Sequence, residues 1–171
     1  QEIGNIDILV VNAGVTLKRP FEEVDEQLWD KVMDINLKGV IFMLKYSLPA
    51  ILRSPAGRVI SVSSNAGRGG GISSGIAYSA SKAAIIGVMR SLARKYASTG
   101  TTFNVVAPGP TSSDIVKGYT AEEYAKVTAS IPVGRFGTPA EIASAVVYFA
   151  SEAAGFATGA TLDINGGIYI G

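Results

Sequence analysis

Tyr78 and Lys82 stand four residues apart in a run with helical character, a spacing that puts both side chains on one helix face. Near neutral pH a tyrosine, with an ordinary pKa of ~10, is a weak proton-transfer group. An ammonium beside it favours the phenolate and lowers that value, which makes the pair suited to acid/base chemistry. The same spacing is common on exposed helix faces, where it is only structural. Ser64 ends a preceding β-rich run and points a hydroxyl into the crevice that the helix start also faces. Together the serine and the tyrosine could grip a carbonyl oxygen, although a serine in a Ser/Gly segment is usually just loop. With no histidine and no cysteine in 171 residues, the chain holds no Ser-His-Asp triad, cysteine nucleophile, disulfide or His/Cys metal ligand. Proton transfer is left to tyrosine, lysine or carboxylate, and no metal site is expected.

Charge excludes further classes. Fifteen Lys+Arg balance fourteen Asp+Glu, and the nearest basic runs are the pairs Lys18-Arg19 and Arg94-Lys95. A nucleic-acid footprint needs a basic stripe, so nucleic acid is not an expected partner. No uncharged apolar stretch approaches the ~18 residues of a membrane span, so no membrane is expected either. The length fits one domain with a proper core.

The elements that must position the three residues alternate in type. Ile6–Val11 is a short apolar run closed by Asn12-Ala13-Gly14, and its lack of alternation predicts a strand buried on both faces. Asp25 caps a helix to Ile35, with Leu28, Val32 and Ile35 on one face. A second helix runs from Asn36, itself a possible N-cap, to about Leu52. Arg58–Ser63 is a strand, Ser64–Gly75 a Gly/Ser loop and Ile76–Ala97 a long helix. Thr102–Val106 is a strand closed by Ala107-Pro108-Gly109-Pro110. The segment 111–133 is polar with one or two short helices. Thr138 caps a helix that starts at Pro139 and ends near Ala150, and a last strand runs near Ala160–Ile164. Strands alternating with helices predict βαβ units, a parallel sheet with helices on both faces, and a ligand site at the carboxyl ends of the strands. Asn12-Ala13-Gly14, Ser63-Ser64-Asn65 and Pro108-Gly109-Pro110 all fall on that edge.

These residues resemble the short-chain dehydrogenase/reductase family. Tyr78-Ser79-Ala80-Ser81-Lys82 is similar to its YxxxK motif, and Asp7–Gly14 to its D-hydrophobic-NNAG segment, with Val11 at the first Asn. Asn36 matches the helix asparagine, Gly57–Ser64 the serine strand, and Asn104–Pro110 the PG loop, with Ser113 where Thr is frequent. Pro132–Arg135 and Thr158–Gly167 match the C-terminal pattern, with Asn165 where Asp often precedes the two glycines. The interval from Ser64 to Tyr78 is one residue longer than the family's usual spacing, which we assign to the Gly69-Gly70-Gly71 loop. The resemblance covers essentially the whole chain.

It implies an α/β, Rossmann-like doubly wound parallel sheet and an NAD- or NADP-dependent hydride transfer between an alcohol and a ketone. Tyr78 is then the acid/base, and Ser64 positions and polarises the carbonyl. Lys82 holds the nicotinamide ribose and depresses the Tyr78 pKa, and Asn36 holds a water that links Lys82 to solvent. Asn12, Ala13 and Gly14 lie along the cofactor, and Pro108, Gly109 and Ser113 border its nicotinamide end. Arg135 and Glu141 read as surface structure. The closest substrate likeness is to reductases of 3-oxoacyl thioesters and to hydroxyacyl-CoA or cyclic alcohol dehydrogenases, with Ile115, Val116, Tyr119 and Tyr124 as apolar lining. The resemblance further implies a cytoplasmic homo-oligomer, tetramer or dimer. The small stripe Ala80, Ala84, Gly87 and Ser91 suits helix pairing, whereas Ile85, Met89, Leu92 and Tyr96 suit packing on the sheet.

The family's opening strand, glycine-rich phosphate loop and following βα units have no counterpart in the sequence. The expectation is therefore a single partial domain over 1–171, the C-terminal two-thirds of an enzyme with about 80 further residues ahead. By that reading the isolated chain leaves an open sheet edge at Ile6–Val11 and is not an active monomer. The alternative is a truncated, catalytically incompetent homologue that serves as an assembly module.

Overall fold

The computed structural model describes residues 4, 6–71, 74–112, 116 and 118–171. Four strands, β1 (Ile8–Val11), β2 (Arg58–Val62), β3 (Thr102–Pro108) and β4 (Thr161–Ile164), form one sheet in the order β1-β2-β3-β4. Every neighbouring pair is parallel. Helix α1 (Glu26–Met33) passes through a π turn (Asp34–Lys38) into α2 (Gly39–Ile51). A short α3 (Ala66–Gly69) follows β2, and then come α4 (Ile76–Tyr96), α5 (Ala121–Ala129) and α6 (Pro139–Ala150). This is the parallel α/β sheet that the alternation predicts and the Rossmann-like architecture that the resemblance implies.

The two central strands explain their own sequences. Side chains alternate across a strand, so Val59, Phe103 and Val105 enter one core with Leu44, Ile85 and Met89 of α2 and α4. Ile60 and Val106 enter a second core against Ala145 and Phe149 of α6. Both faces are covered, hence the unbroken apolar runs. Leu92 and Tyr96 pack on the first core beside Ile85 and Met89, while Gly87 and Ser91 of the small stripe stay exposed.

Two expectations fail here. β1 is not buried on both faces: Val11 is 4% exposed, but Ile8 is 50% and Val10 42%. Among the described residues it pairs with β2 alone, and the face that Ile8 and Val10 share is left half-open. The helix break at Asn36 is also absent. The π turn's wider i→i+5 bonding carries Asn36 rather than Ile35 onto the inward stripe between Val32 and Val40: Asn36 is fully buried and Ile35 39% exposed. Asn36 is therefore no N-cap.

The helix ends follow their signals. Asp25 accepts from the Leu28 N–H at 2.7 Å, and Thr138 forms a capping box with Glu141 behind Pro139. Arg135 grips Glu141 at 2.6 and 3.0 Å; that hydrogen bond, with those from Thr138, holds the exposed carboxyl down at about 2. The pair secures a helix start, as its surface reading expects. Thr120 caps α5 in the same manner through Glu123. Asn104, fully buried on β3, donates to the Ala157 carbonyl at 2.6 Å and accepts from the Ala160 N–H at 3.1 Å, fixing the turn into β4.

Candidate active site

The carboxyl ends of β1, β2 and β3 meet the first turns of α4. Ser64, 8% exposed, follows β2, and its hydroxyl accepts from the Ala66 N–H at 3.1 Å. The next residue ties this turn to the third strand, because the Asn65 N–H donates to the Pro108 carbonyl at 2.8 Å. Tyr78, in the first turn of α4, is near enough for the Ser64 hydroxyl to act on its phenol, while the Ser64 hydroxyl itself donates to Asn65 Oδ1 at 3.3 Å. One turn on, Lys82 is 4% exposed; its amine donates to the Val62 carbonyl at 2.9 Å and lies 5.7 Å from the centre of the Tyr78 ring.

Burial decides both protonation states. It holds the Lys82 amine down at about 8, against an ordinary 10.5. It also raises the Tyr78 phenol, and the neighbouring Ser64 hydroxyl lowers it only in part. The net direction for Tyr78 is therefore upward, opposite to the lowering that the spacing suggests, because loss of hydration is the largest cause. Tyr78 keeps its proton at neutral pH.

Asn36 braces the loop that follows β1. Its carbonyl accepts from the Val15 N–H at 2.7 Å, and its amide donates to the Val15 carbonyl at 2.9 Å and to Ser81 Oγ at 3.1 Å. Both donors are used, which leaves one lone pair on the oxygen for a further partner. Ser81, inside the Tyr78–Lys82 motif, is a residue that the sequence reading passed over. It donates to the Tyr78 carbonyl at 2.7 Å, so it links α4 to the π turn. Position i+3 within the motif was the available signal. Ser63, beside Ser64 on the edge expected to bind a ligand, is given a definite contact: its hydroxyl donates to the Lys82 carbonyl at 2.7 Å.

A sequence profile described as enoyl-(acyl carrier protein) reductase matches residues 1–169. The chain belongs to the short-chain dehydrogenase/reductase family. The relatives of this dehydrogenase/reductase include proteins named 3-oxoacyl-[acyl-carrier-protein] reductase FabG. That of Vibrio cholerae is 40% identical over 170 residues, and that of Escherichia coli 39% over 172. In each case the alignment takes in 99% of this chain and 69% of the relative. A crystal structure of 3-oxoacyl-[acyl-carrier protein] reductase from Brucella melitensis superposes with a TM-score of 0.91 at 30% identity, over 96% of this chain and 63% of that one. The family is one of oxidoreductases that use NAD or NADP.

The dehydrogenase/reductase chain offers this cofactor a fitting edge. Lys82 has three N–H donors and spends one on Val62. A Cβ at Gly14 would come 3.2 Å from that amine and 3.3 Å from Asn36 Oδ1, so glycine keeps the space beside the amine open. Asn12, Ala13 and Gly14 are exposed after β1. Gly109 donates to the Ile164 carbonyl at 2.9 Å, and a Cβ there would lie 2.7 Å from Asn165 Cα; the Pro108-Gly109 turn is pressed against the end of β4. Ser113 and Ile115 lie outside the described residues. Of the apolar lining, Tyr124 stacks on Phe136 with ring centres 4.4 Å apart, and Tyr119 meets the Lys18 amine. Among the described residues no helix is long and apolar enough to cross a membrane.

The serine turn rests directly on α4. A Cβ at Gly67 would lie 2.6 Å from Lys82 C and 2.8 Å from Ala83 N, and backbone atoms cannot step aside as a flexible side chain would. Gly67→Ala is therefore expected to destabilise the protein by about 1–3 kcal/mol. A urea-unfolding midpoint equal to that of the wild type would contradict this close contact.

Proposed function

We propose that this chain carries the reaction centre of an NAD(P)-dependent oxidoreductase that moves a hydride between a nicotinamide cofactor and a ketone or secondary alcohol. The observation that carries this reading is the meeting of two hydroxyls, from Ser64 and Tyr78, beside the buried Lys82 amine. Hydride addition to a carbonyl carbon builds negative charge on its oxygen, and two fixed donors stabilise that charge as it forms. Ser64 holds and polarises the oxygen. Tyr78 donates its proton to it, and a protonated Lys82 balances the phenolate left behind. A bound nicotinamide cofactor supplies the hydride, which no side chain can provide. In this reading Lys82 holds the nicotinamide ribose, Asn12, Ala13 and Gly14 line the cofactor, and Pro108, Gly109 and Ser113 border its reacting end. Asn36 acts as a positioning residue through Val15 and Ser81.

The relatives' names point to a 3-oxoacyl thioester as the substrate class, with the segment 111–133 around its acyl chain. The test is consumption of reduced NADP or NAD by the protein in its natural full length, offered a 3-oxoacyl thioester and a simple cyclic ketone. Reduction is expected at neutral pH, where the raised Tyr78 phenol keeps its proton, and is lost as the pH climbs through that pKa. Oxidation of the alcohol needs the phenolate and is expected to strengthen toward alkaline pH. No turnover with any ketone would favour the non-catalytic reading.

A further inference from the structure

Arg68 and Asp163 are 95 residues apart in sequence and form a two-point ion pair, Nε to Oδ1 at 3.1 Å and Nη2 to Oδ2 at 3.0 Å. Their side chains are only 15% and 19% exposed. The guanidinium also lies 4.8 Å from the centre of the Tyr169 ring. An exposed pair such as Lys38–Asp34 contributes little. A shielded fork-to-fork pair stacked on an aromatic ring fixes both distance and direction.

What it fixes is the turn that begins at Ser64. The Gly67 N–H donates to the Ser64 carbonyl and the Arg68 N–H to the Asn65 carbonyl, each at 3.0 Å, so Arg68 closes one turn after the serine. Asp163 stands on β4, beside Ala107 of β3. The ion pair therefore reaches from the end of β2 across β3 to β4. Tyr169 completes the hold: a Cβ at Gly69 would lie 3.0 Å from its ring, and its carbonyl accepts from Asn165 at 3.0 Å.

We infer that Arg68 and Asp163 are positioning residues that hold the Ser64 hydroxyl against Tyr78 for the reaction. This role rests on the proposed Ser64–Tyr78 chemistry, and the experiment separates the two. Arg68→Lys keeps the charge and loses the fork, Asp163→Asn keeps the shape and loses the charge, and Arg68→Asp with Asp163→Arg reverses the pair. Each is made in the full-length protein, with thermal unfolding recorded to show that it folds. The single variants are expected to lose turnover by up to about 10²-fold through misplacement of the serine, with the KM for the cofactor unchanged, and the reversed pair to recover part of it. The second reading is the Tyr78 phenol titration, taken as the ultraviolet difference against the same protein carrying Tyr78→Phe. Ser64 from the end of β2 and Lys82 on the same helix are the groups set against that phenol. Weakening the serine's hold is expected to move the midpoint to higher pH, which mere loss of stability does not do. Folded single variants with wild-type kcat and an unmoved Tyr78 midpoint would overturn the inference. If the wild-type protein reduces no ketone, the proposed function fails and the phenol titration still decides whether the pair holds Ser64.

Discussion

Tyr78→Phe is expected to slow ketone reduction by about 10²–10⁴-fold while leaving the fold and cofactor binding in place. The substitution removes one hydroxyl from a half-buried ring. Its neighbour Ser64 keeps its hydrogen bond from Ala66, so no buried polar group is left without a partner. What disappears is the proton donor for the developing alkoxide and one of the two groups that fix the carbonyl oxygen. Steady-state kinetics decide the matter: kcat falls, and the KM for the reduced cofactor changes little. A variant that reduces ketones at the wild-type rate would remove Tyr78 from the mechanism.

Lys82→Met is expected to separate activity from stability. Turnover should fall by about 10²-fold or more, as for other groups that stabilise charge in the transition state. Stability behaves differently because the amine is confined. Its pKa is about 8 in the folded chain and 10.5 at its ordinary value, so the unfolded chain binds more protons between those two limits. Wild-type stability therefore carries a penalty below pH 8, which disappears as the pH rises to about 10.5, a change of about 3 kcal/mol. Methionine has no such penalty, but it leaves the Val62 carbonyl without its donor, at about 1–3 kcal/mol. Near pH 7 the two effects offset, and the variant should match the wild type to within about 2 kcal/mol. Urea unfolding of both proteins from pH 7 to above pH 10 tests the sign, since tyrosine titration is common to both and cancels in the difference. The wild type should gain on the variant as the pH rises. A difference that stays flat would show that the Lys82 amine is not held down by burial.

The contrast between Tyr78 and its surroundings marks where sequence reasoning stops. The strands β2 and β3 were legible because both faces of each are covered, which leaves an unbroken apolar signature in Val59–Ile60 and Val105–Val106. β1 has the same signature, and the sequence does not say that the face of Ile8 and Val10 is left half-open. Spacing also brought Ser64, Tyr78 and Lys82 to one edge, yet it gave the wrong direction for the tyrosine's pKa. Charge proximity can be read from i, i+4, whereas burial needs the fold. Asn36 looked like a helix start because a polar residue amid an apolar run resembles a cap. Only the π turn shows it facing inward. Arg68 and Asp163 carry no local signal at all, since their relation exists only once β4 has joined the sheet.

One contrast among the helices bears on when each part of the protein opens. α4 buries seven of its residues, Lys82 among them, whereas α5 buries none and is held by its capping box and the Tyr124–Phe136 stack. Local opening costs least where few apolar contacts must be broken. Amide hydrogens in α5 should therefore exchange with solvent through small, frequent openings, and those in α4 only when the whole domain unfolds. On that expectation Tyr78 and Lys82 stand on the slowest-exchanging helix, while α5 opens and closes many times within the lifetime of the folded core.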